Sequence, residues 1–342
     1  MHYLITGHTG FKGSWLVMML STMGHKVSGI ALEPERESLF NQACVSNLLE
    51  FDYRIDIRDF VALNEVMSFI KPDVVIHLAA QPLVRYSYKH PIETYETNVM
   101  GTLNVLESTK SLADLQATLI ITTDKVYRNV SKQSGYVESD PLGGDDPYSA
   151  SKAAADIATQ SWATSFGKSP IAIARAGNVI GGGDWAEDRL IPDIFRSYRA
   201  SISPVLRNPE SIRPWQHVLD CLNGYLILID SMINDSKTGE WNFGPKHLDK
   251  RTVSDVIEKI ANFSQVSTPA WLLESAENPK ESNFLLLDSG KARLELGWQD
   301  FLTFESAMEW TALWYQNFDS SGARELSLGQ IKAFLALKSH IK

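Results

Sequence analysis

Tyr148 and Lys152 stand four residues apart in the stretch DPYSASKAAAD (146–156), which reads as the start of a helix. That spacing puts both side chains on one helical face. An ammonium beside a phenol lowers its pKa, so the tyrosine can take a proton from a hydroxyl near neutral pH while the lysine holds a ribose. Upstream, TTDK (122–125) closes an apolar strand, the place where α/β sheets put their chemistry. Thr123 suits hydrogen bonding to a reacting hydroxyl. Asp124 and Lys125 add an acid and a base side by side, which hydride transfer alone does not require. Such a pair suits loss of water, one group protonating the leaving hydroxyl and the other taking a carbon-bound proton. The alternative is a solvated charge pair at a strand end.

A second constellation lies at the beginning of the chain. Gly7, Gly10 and Gly13 form GxxGxxG between the first strand and the first helix. The first glycine permits a tight turn, the second lets the backbone approach a pyrophosphate, and the third lets helix pack on sheet. Phosphates then sit at the positive end of the helix. Asp56 could accept a hydrogen bond from an adenine amino group or simply cap a strand end. Glu33, just past the second strand, would bond ribose hydroxyls and repel a 2′-phosphate, favouring NAD over NADP, although Arg36 is close by.

These residues need a scaffold, and the pattern around them supplies one. Tyr3–Thr6, Val27–Leu32, Phe51–Ile57, the run Val74–Ala80, Ala117–Thr122 and Ile171–Arg175 read as strands. Helical patterns lie between them: Phe11–Met23 stopped by Gly24, a helix capped by Asp59 with Phe60, Leu63, Val66, Met67 and Ile70 on its apolar face, and one beginning near Pro91. Strands apolar on both faces indicate a parallel sheet covered by helices, and repeated βα units opening on a glycine turn indicate a doubly wound α/β sheet. After Ile180 the pattern loosens. Gly181–Trp185 and Arg207–His217 read as binding loops, Glu240–Phe243 as a late strand rejoining the sheet, and Thr252–Phe263 and Phe304–Tyr315 as helices. The expected division is a dinucleotide domain over 1–180, joined by the strand near 240–244, and a smaller C-terminal lobe over 181–342.

Composition narrows the function. The 342 residues are 44% hydrophobic and 21% charged, with a formal net charge of -9. That balance argues against nucleic acid or a membrane surface as partner, because both need excess Lys and Arg. Cys44 and Cys221 form no CxxC motif or disulfide framework. The chain opens directly into a strand, without a signal-peptide pattern, and no apolar run reaches membrane-spanning length. The expectation is a cytoplasmic protein. His77 and His217 read as structural, no metal site is expected, and Trp185 and Trp215 either wall a pocket or pack a core.

The blocks GHTGFKGSWL (7–16), HLAAQPLVRYSY (77–88), TDKVY (123–127), LGGDDPYSASK (142–152), RAGNVIGGGDWAEDR (175–189), RNPESIRPWQHVLD (207–220) and WNFGP (241–245) together resemble the nucleotide-sugar 4,6-dehydratases of the extended short-chain dehydrogenase/reductase family. The resemblance covers most of the chain to about 245. GxxGxxG and YxxxK mark only the broad family, whereas the lysine of TDK and the RAGNVIGGGDW and RPWQHV blocks are more specific. Relatives acting on TDP-glucose usually carry glutamate where Lys125 stands. The resemblance implies a Rossmann sheet with NAD held by Gly7, Gly10, Phe11, Gly13, Asp56, Ile57, Leu78, Ala79, Ala80, Asn98, Tyr148 and Lys152. It implies a nucleotide-sugar substrate, CDP-glucose favoured, held by Asn178, Arg189, Arg207 and Arg213. For Arg207 and Arg213 the alternative is a surface ion pair. The implied reaction oxidises carbon 4 with Tyr148 as base, eliminates water across carbons 5 and 6 with Asp124 and Lys125, and returns the hydride to carbon 6. Thr123 and Lys152 complete the catalytic set. A homodimer or homotetramer is implied, with helices near 95–112 and 150–165 at the interface. The alternatives are a dehydratase of another nucleotide sugar, a nucleotide-sugar 4-epimerase, and a dinucleotide-sensing binding protein without catalysis.

Overall fold

A computed structural model describes residues 1–246, 250–264, 269–274 and 284–339. Seven strands form its central sheet: β1 (His2–Thr6), β2 (Lys26–Ala31), β3 (Phe51–Arg54), β4 (Val74–His77), β5 (Ala117–Thr123), β6 (Ile171–Ala176) and β7 (Gly239–Phe243). All are parallel, in the order β7-β6-β5-β4-β1-β2-β3. Alternation along β1 explains the two helical layers. Tyr3 and Ile5 enter the core shared with Trp15, Val74 and Ile76, while Leu4 points into the opposite core with Leu63, Met67, Val75 and Val105. Each fully buried aliphatic or aromatic side chain contributes about 1.5–3 kcal/mol. The strand order reverses between β1 and β4, and that switch point opens a crevice at their carboxyl ends.

The glycine turn and its helix (Phe11–Thr22, ended by Met23 and Gly24) follow the sequence expectation. Asp59 accepts from the Ala62 amide at 3.1 Å and caps Phe60–Ile70, whose Leu63, Met67 and Ile70 are buried. Phe60, expected on the apolar face, is 39% exposed. β3 is shorter than expected, because its ladder with β2 ends at Ala31 opposite Arg54. The helix expected near Pro91 is broken into Pro91–Tyr95, a π-helical turn over Glu96–Met100 and Gly101–Thr109, and a further short helix, Val84–Lys89, precedes it.

Beyond 180 the chain is more regular than its sequence pattern suggests. Asn178–Ile180 pairs in parallel with Trp215–His217, and Ile212–Arg213 pairs antiparallel with Arg251–Thr252. Strands of two or three residues are too short to display a period of two, which is why this region reads as loop. The helix Val218–Asp235 escaped notice because its buried residues, Leu222, Asn223, Gly224, Tyr225 and Leu226 among them, run round the helix instead of forming a stripe. β7 rejoins the sheet beside β6, as expected. The C-terminal helices Phe304–Ser321 and Ala323–Ser339 share the core of the Phe11–Thr22 helix through Met308, Trp314, Ile331 and Phe334. Among the described residues no helix is long and apolar enough to cross a membrane.

Candidate active site

The catalytic candidates meet where β5 ends and the helix Pro147–Phe166 begins. Asp146 caps that helix, its Oδ1 accepting from the Ser149 amide at 2.9 Å, with Pro147 in the first turn. Tyr148 is thereby fixed in the first turn, and its amide donates to Ser87 Oγ at 3.1 Å. The Thr123 hydroxyl lies near enough to the Tyr148 phenol to pull it down. Thr123 Oγ1 also donates to Asp124 Oδ1 at 3.0 Å. Asp124 is buried and its Oδ2 has no hydrogen-bond partner. Burial pushes its carboxyl up, against the lowering pull of Lys125, Thr123 and Arg213. A carboxyl pushed up by burial and left with one unpartnered oxygen is suited to serve as a general acid.

Lys152 is buried one turn below Tyr148, and its Nζ donates to the Ile121 carbonyl at 2.9 Å. The expected tuning of the phenol takes a different form. Burial pushes Tyr148 up to about 12, Thr123 pulls it down, Asp124 pushes it up, and the cation that most lowers it is Arg189 rather than Lys152. Burial and then Lys12 hold Lys152 down at about 8. The lysine therefore anchors the site and supplies a titratable ammonium, while the guanidinium acts on the phenol.

The glycine turn fits a dinucleotide. Gly7 sits at φ +77°, and a Cβ there would lie 2.6 Å from the Ala79 amide nitrogen, so β1 and β4 can approach only with glycine between them. A Cβ on Gly13 would lie 2.2 Å from the Gly7 carbonyl oxygen. The helix Phe11–Thr22 starts at Gly10 with no acidic residue in its first turn and, unlike the helices capped by Asp59, Asp146 and Thr303, with no side-chain cap. Its first amides are thus left for an anion. Leu78, Ala79 and Ala80 follow β4 beside this turn, with the Leu78 amide on the Thr6 carbonyl at 3.0 Å. Asn98, in the π-helical turn, accepts from the Gln81 amide at 2.9 Å and donates to Ser151 Oγ at 2.8 Å, tying the crevice floor to the Tyr148 helix. Ile57 is buried behind it. Asp56 is engaged by Arg58, whose Nε lies 2.9 Å from Oδ2. Glu33 lies 3.4 Å from Arg54 and is otherwise exposed.

The residues expected around the substrate divide into two groups. Arg189 and Arg213 come to the catalytic end. Arg189 Nη1 donates to Asp184 Oδ2 at 2.9 Å, and Asp184 holds the guanidinium charged. Arg213 is 8% exposed and close enough to act on Asp124, so it is no surface ion pair. Asn178 begins the short strand beside Trp215. Arg207 stands at the rim, paired with Asp188 and Glu274. Trp185 packs against Tyr315, Trp314 and Phe318, while Trp215 is buried with its Nε1 on the Arg251 carbonyl. His77 is buried between Thr6 and Thr102 and lowered to about 3 by burial, which suits a neutral structural residue. Among the described residues no group of His, Cys, Asp or Glu is arranged to hold a metal.

Sequence reasoning passed over Lys12. It lies inside the glycine turn, which drew attention to its glycines alone. Its Nζ donates to Tyr225 Oη at 3.3 Å, and its charge acts together with those of Lys152, Arg189 and Asp124. Its partner helix, Val218–Asp235, was itself not foreseen, so nothing indicated that the two would meet.

A doubly wound sheet with a cap-free glycine turn, a Tyr/Lys pair one helical turn apart and a carboxyl at the end of β5 is the framework of a dinucleotide-dependent enzyme. The chain belongs to the GDP-mannose 4,6 dehydratase family, whose profile matches residues 4–311. It is 44% identical over 330 residues to a CDP-glucose 4,6-dehydratase from Salmonella typhimurium, covering 92% of this chain and 91% of the relative. A dTDP-glucose 4,6-dehydratase from Haemophilus influenzae is 28% identical, covering 94% and 100%. Among solved structures, dTDP-glucose 4,6-dehydratase from Bacillus anthracis in complex with NAD matches with a TM-score of 0.78 at 23% identity, covering 93% and 97%. Thermus thermophilus UDP-glucose 4-epimerase in complex with NAD matches with a TM-score of 0.79 at 22% identity, covering 92% and 99%. At these identities the structural likenesses speak for the fold.

Proposed function

We propose that the chain is an NAD-dependent hydro-lyase that converts CDP-glucose to CDP-4-keto-6-deoxyglucose. The observation that carries this reading is the buried Asp124 carboxyl with its unpartnered Oδ2, beside Lys125 and hydrogen-bonded to Thr123. An epimerase needs no such acid and base at this point. Bound NAD would supply the hydride acceptor for carbon 4 and the donor for carbon 6, and its positively charged ring would oppose the upward push of burial on the Tyr148 phenol.

The protein's own groups do the rest. Tyr148 takes the carbon-4 hydroxyl proton, with Thr123 fixing that hydroxyl. Lys152, pinned to the Ile121 carbonyl, holds the cofactor ribose. The carbon-4 ketone acidifies carbon 5, from which Lys125 takes the proton, Asp124 protonates the departing carbon-6 hydroxyl, and Lys125 gives its proton back to carbon 5 as the hydride reaches carbon 6. Gly7, Gly10, Phe11 and Gly13 cradle the dinucleotide diphosphate, Ile57, Leu78, Ala79, Ala80 and Asn98 line its path, and Asp56 lies at its adenine end. Asn178, Arg189, Arg207 and Arg213 hold the nucleotide sugar. The dinucleotide occupies 1–180 with β7, and the sugar nucleotide the lobe from 181 onward. Exposed apolar side chains at Ile92, Met100 and Ile157 suit a dimer interface between the helices near 95–112 and 150–165.

The test is incubation with CDP-glucose, TDP-glucose, UDP-glucose and GDP-mannose, following loss of one water by mass. Dehydration of CDP-glucose alone is expected. Dehydration of another donor instead would replace the substrate assignment, and a change of configuration without mass loss would replace the reaction.

A further inference from the structure

Asp188 holds two arginines that reach it from different parts of the chain. Arg85, on the short helix Val84–Lys89, places Nη1 2.9 Å from Asp188 Oδ1. Arg207, just past the strand Val205–Leu206, places Nη2 3.4 Å from the same oxygen, and its Nε lies 3.3 Å from Glu274 Oε2. All three residues adjoin the catalytic machinery. Ser87, two residues beyond Arg85, accepts the Tyr148 amide. Asp188 precedes Arg189, whose charge acts on the Tyr148 phenol.

The arrangement is poorly explained as a strut. Side-chain exposures of 36%, 41% and 30% for Arg85, Asp188 and Arg207 place these pairs among the solvent-screened ion pairs that add little to stability. Asp188 also adopts φ +58°, a left-handed backbone conformation uncommon for a residue other than glycine. A carboxylate shared by two guanidinium groups satisfies neither fork, whereas a diphosphate offers more charge and enough oxygens to take paired donors from both.

We propose that Arg85 is a further ligand of the substrate diphosphate, facing Arg207, and that Asp188 holds the two arginines in place until the diphosphate displaces it. The inference rests on the nucleotide-sugar reading above. Asp188 keeps the guanidinium groups aimed at one point, which reduces the ordering that binding must supply. It also opposes the incoming charge, so it costs affinity and penalises ligands with a single phosphate, which cannot engage both forks. Arg85 thereby becomes a determinant of selectivity for diphosphates over monophosphates.

The experiment is calorimetric titration of the NAD-loaded protein with CDP and with CMP. Arg85→Met should weaken CDP about tenfold or more, equivalent to about 1.4 kcal/mol, and change CMP less than about threefold. Asp188→Asn should tighten CDP about threefold or more, about 0.65 kcal/mol. Arg85→Lys, a milder change, should fall between wild type and Arg85→Met and covers the case in which the methionine variant does not fold. Unchanged CDP affinity in both Arg85 variants, equal losses for CDP and CMP, or weaker CDP binding by Asp188→Asn would overturn the inference. Wild-type protein that ignores cytidine nucleotides but binds another nucleoside diphosphate would defeat the substrate assignment only. The same variants would then be judged with that diphosphate against its monophosphate.

Discussion

Asp156 and Arg175 face each other inside the protein as a two-pronged ion pair, with Nε 2.8 Å from Oδ2, Nη2 2.7 Å from Oδ1, and exposures of at most 1%. Asp156 lies one helical turn beyond Lys152, and Arg175 lies in β6 opposite Thr122 of β5. Thr122 Oγ1 donates to the same carboxylate at 3.0 Å, and Arg175 Nη1 reaches Tyr127 Oη at 3.0 Å. The pair thus locks the helix bearing Tyr148 and Lys152 to the strand bearing Thr123 and Asp124.

Cutting this lock should be costly. Asp156→Ala leaves a buried guanidinium without its carboxylate, a loss of about 3–5 kcal/mol. Urea denaturation should show an unfolding free energy lower by about that amount. An unfolding free energy within about 0.5 kcal/mol of wild type, the range of ordinary surface changes, would show that the pair does not hold the helix.

Tyr148→Phe removes the oxygen that takes the carbon-4 proton while leaving the ring packed in place. Turnover should fall roughly 10²–10⁴-fold, the usual share of general base catalysis. NAD affinity should stay near that of wild type, because the glycine turn and Lys152 are untouched. Comparable turnover in the variant would remove Tyr148 from the role of base.

Asp124 and Lys125 should be separable by their products. In Asp124→Asn, Lys125 still removes the carbon-5 proton, so solvent deuterium should enter carbon 5 of recovered substrate while dehydration stalls. In Lys125→Ala, the oxidation at carbon 4 should proceed and the reduced cofactor should accumulate in the near-ultraviolet, without deuterium at carbon 5. The reverse pattern would exchange the two roles.

The seven-strand sheet and the meeting of the candidate catalytic residues at the end of β5 were legible in the sequence, because both leave local marks. Strands buried on both faces read as short apolar runs, and Gly7, Gly13, Asp59 and Asp146 perform local geometric tasks that their types announce. What was hidden depends on contacts distant in sequence. Lys12 meets Tyr225 only because a helix buried all round packs on the glycine-turn helix, and burial all round erases the periodicity that would reveal it. The tuning of Tyr148 by Arg189 was hidden for a related reason. A four-residue spacing announces that Lys152 shares a helix face with the phenol, but not that its ammonium turns to the Ile121 carbonyl.

Stability should depend on pH through buried groups that act in opposite directions. Asp220 accepts the Phe301 and Leu302 amides at 2.7 and 3.1 Å, yet burial outweighs these bonds and raises its carboxyl to about 7. Between an unfolded value near 4 and this folded one, the native state holds a proton that the unfolded chain has released. Its contribution to stability is therefore complete at low pH and is lost as pH rises, at up to about 1.4 kcal/mol per pH unit until about pH 7. His77 and His217 act in the opposite direction. Burial lowers both to about 3, so the stability they confer is full above about pH 6.5 and is lost as pH falls from there. Asp220→Asn keeps the shape and abolishes the titration. Urea unfolding at a series of pH values should show the wild-type stability rising less steeply with pH than the variant's between about pH 4 and 6.5, where the two histidines outweigh Asp220, with similar slopes above about pH 7. Parallel curves across the range would mean that Asp220 is ionised throughout and that its two backbone amides, rather than a proton, satisfy the buried carboxyl.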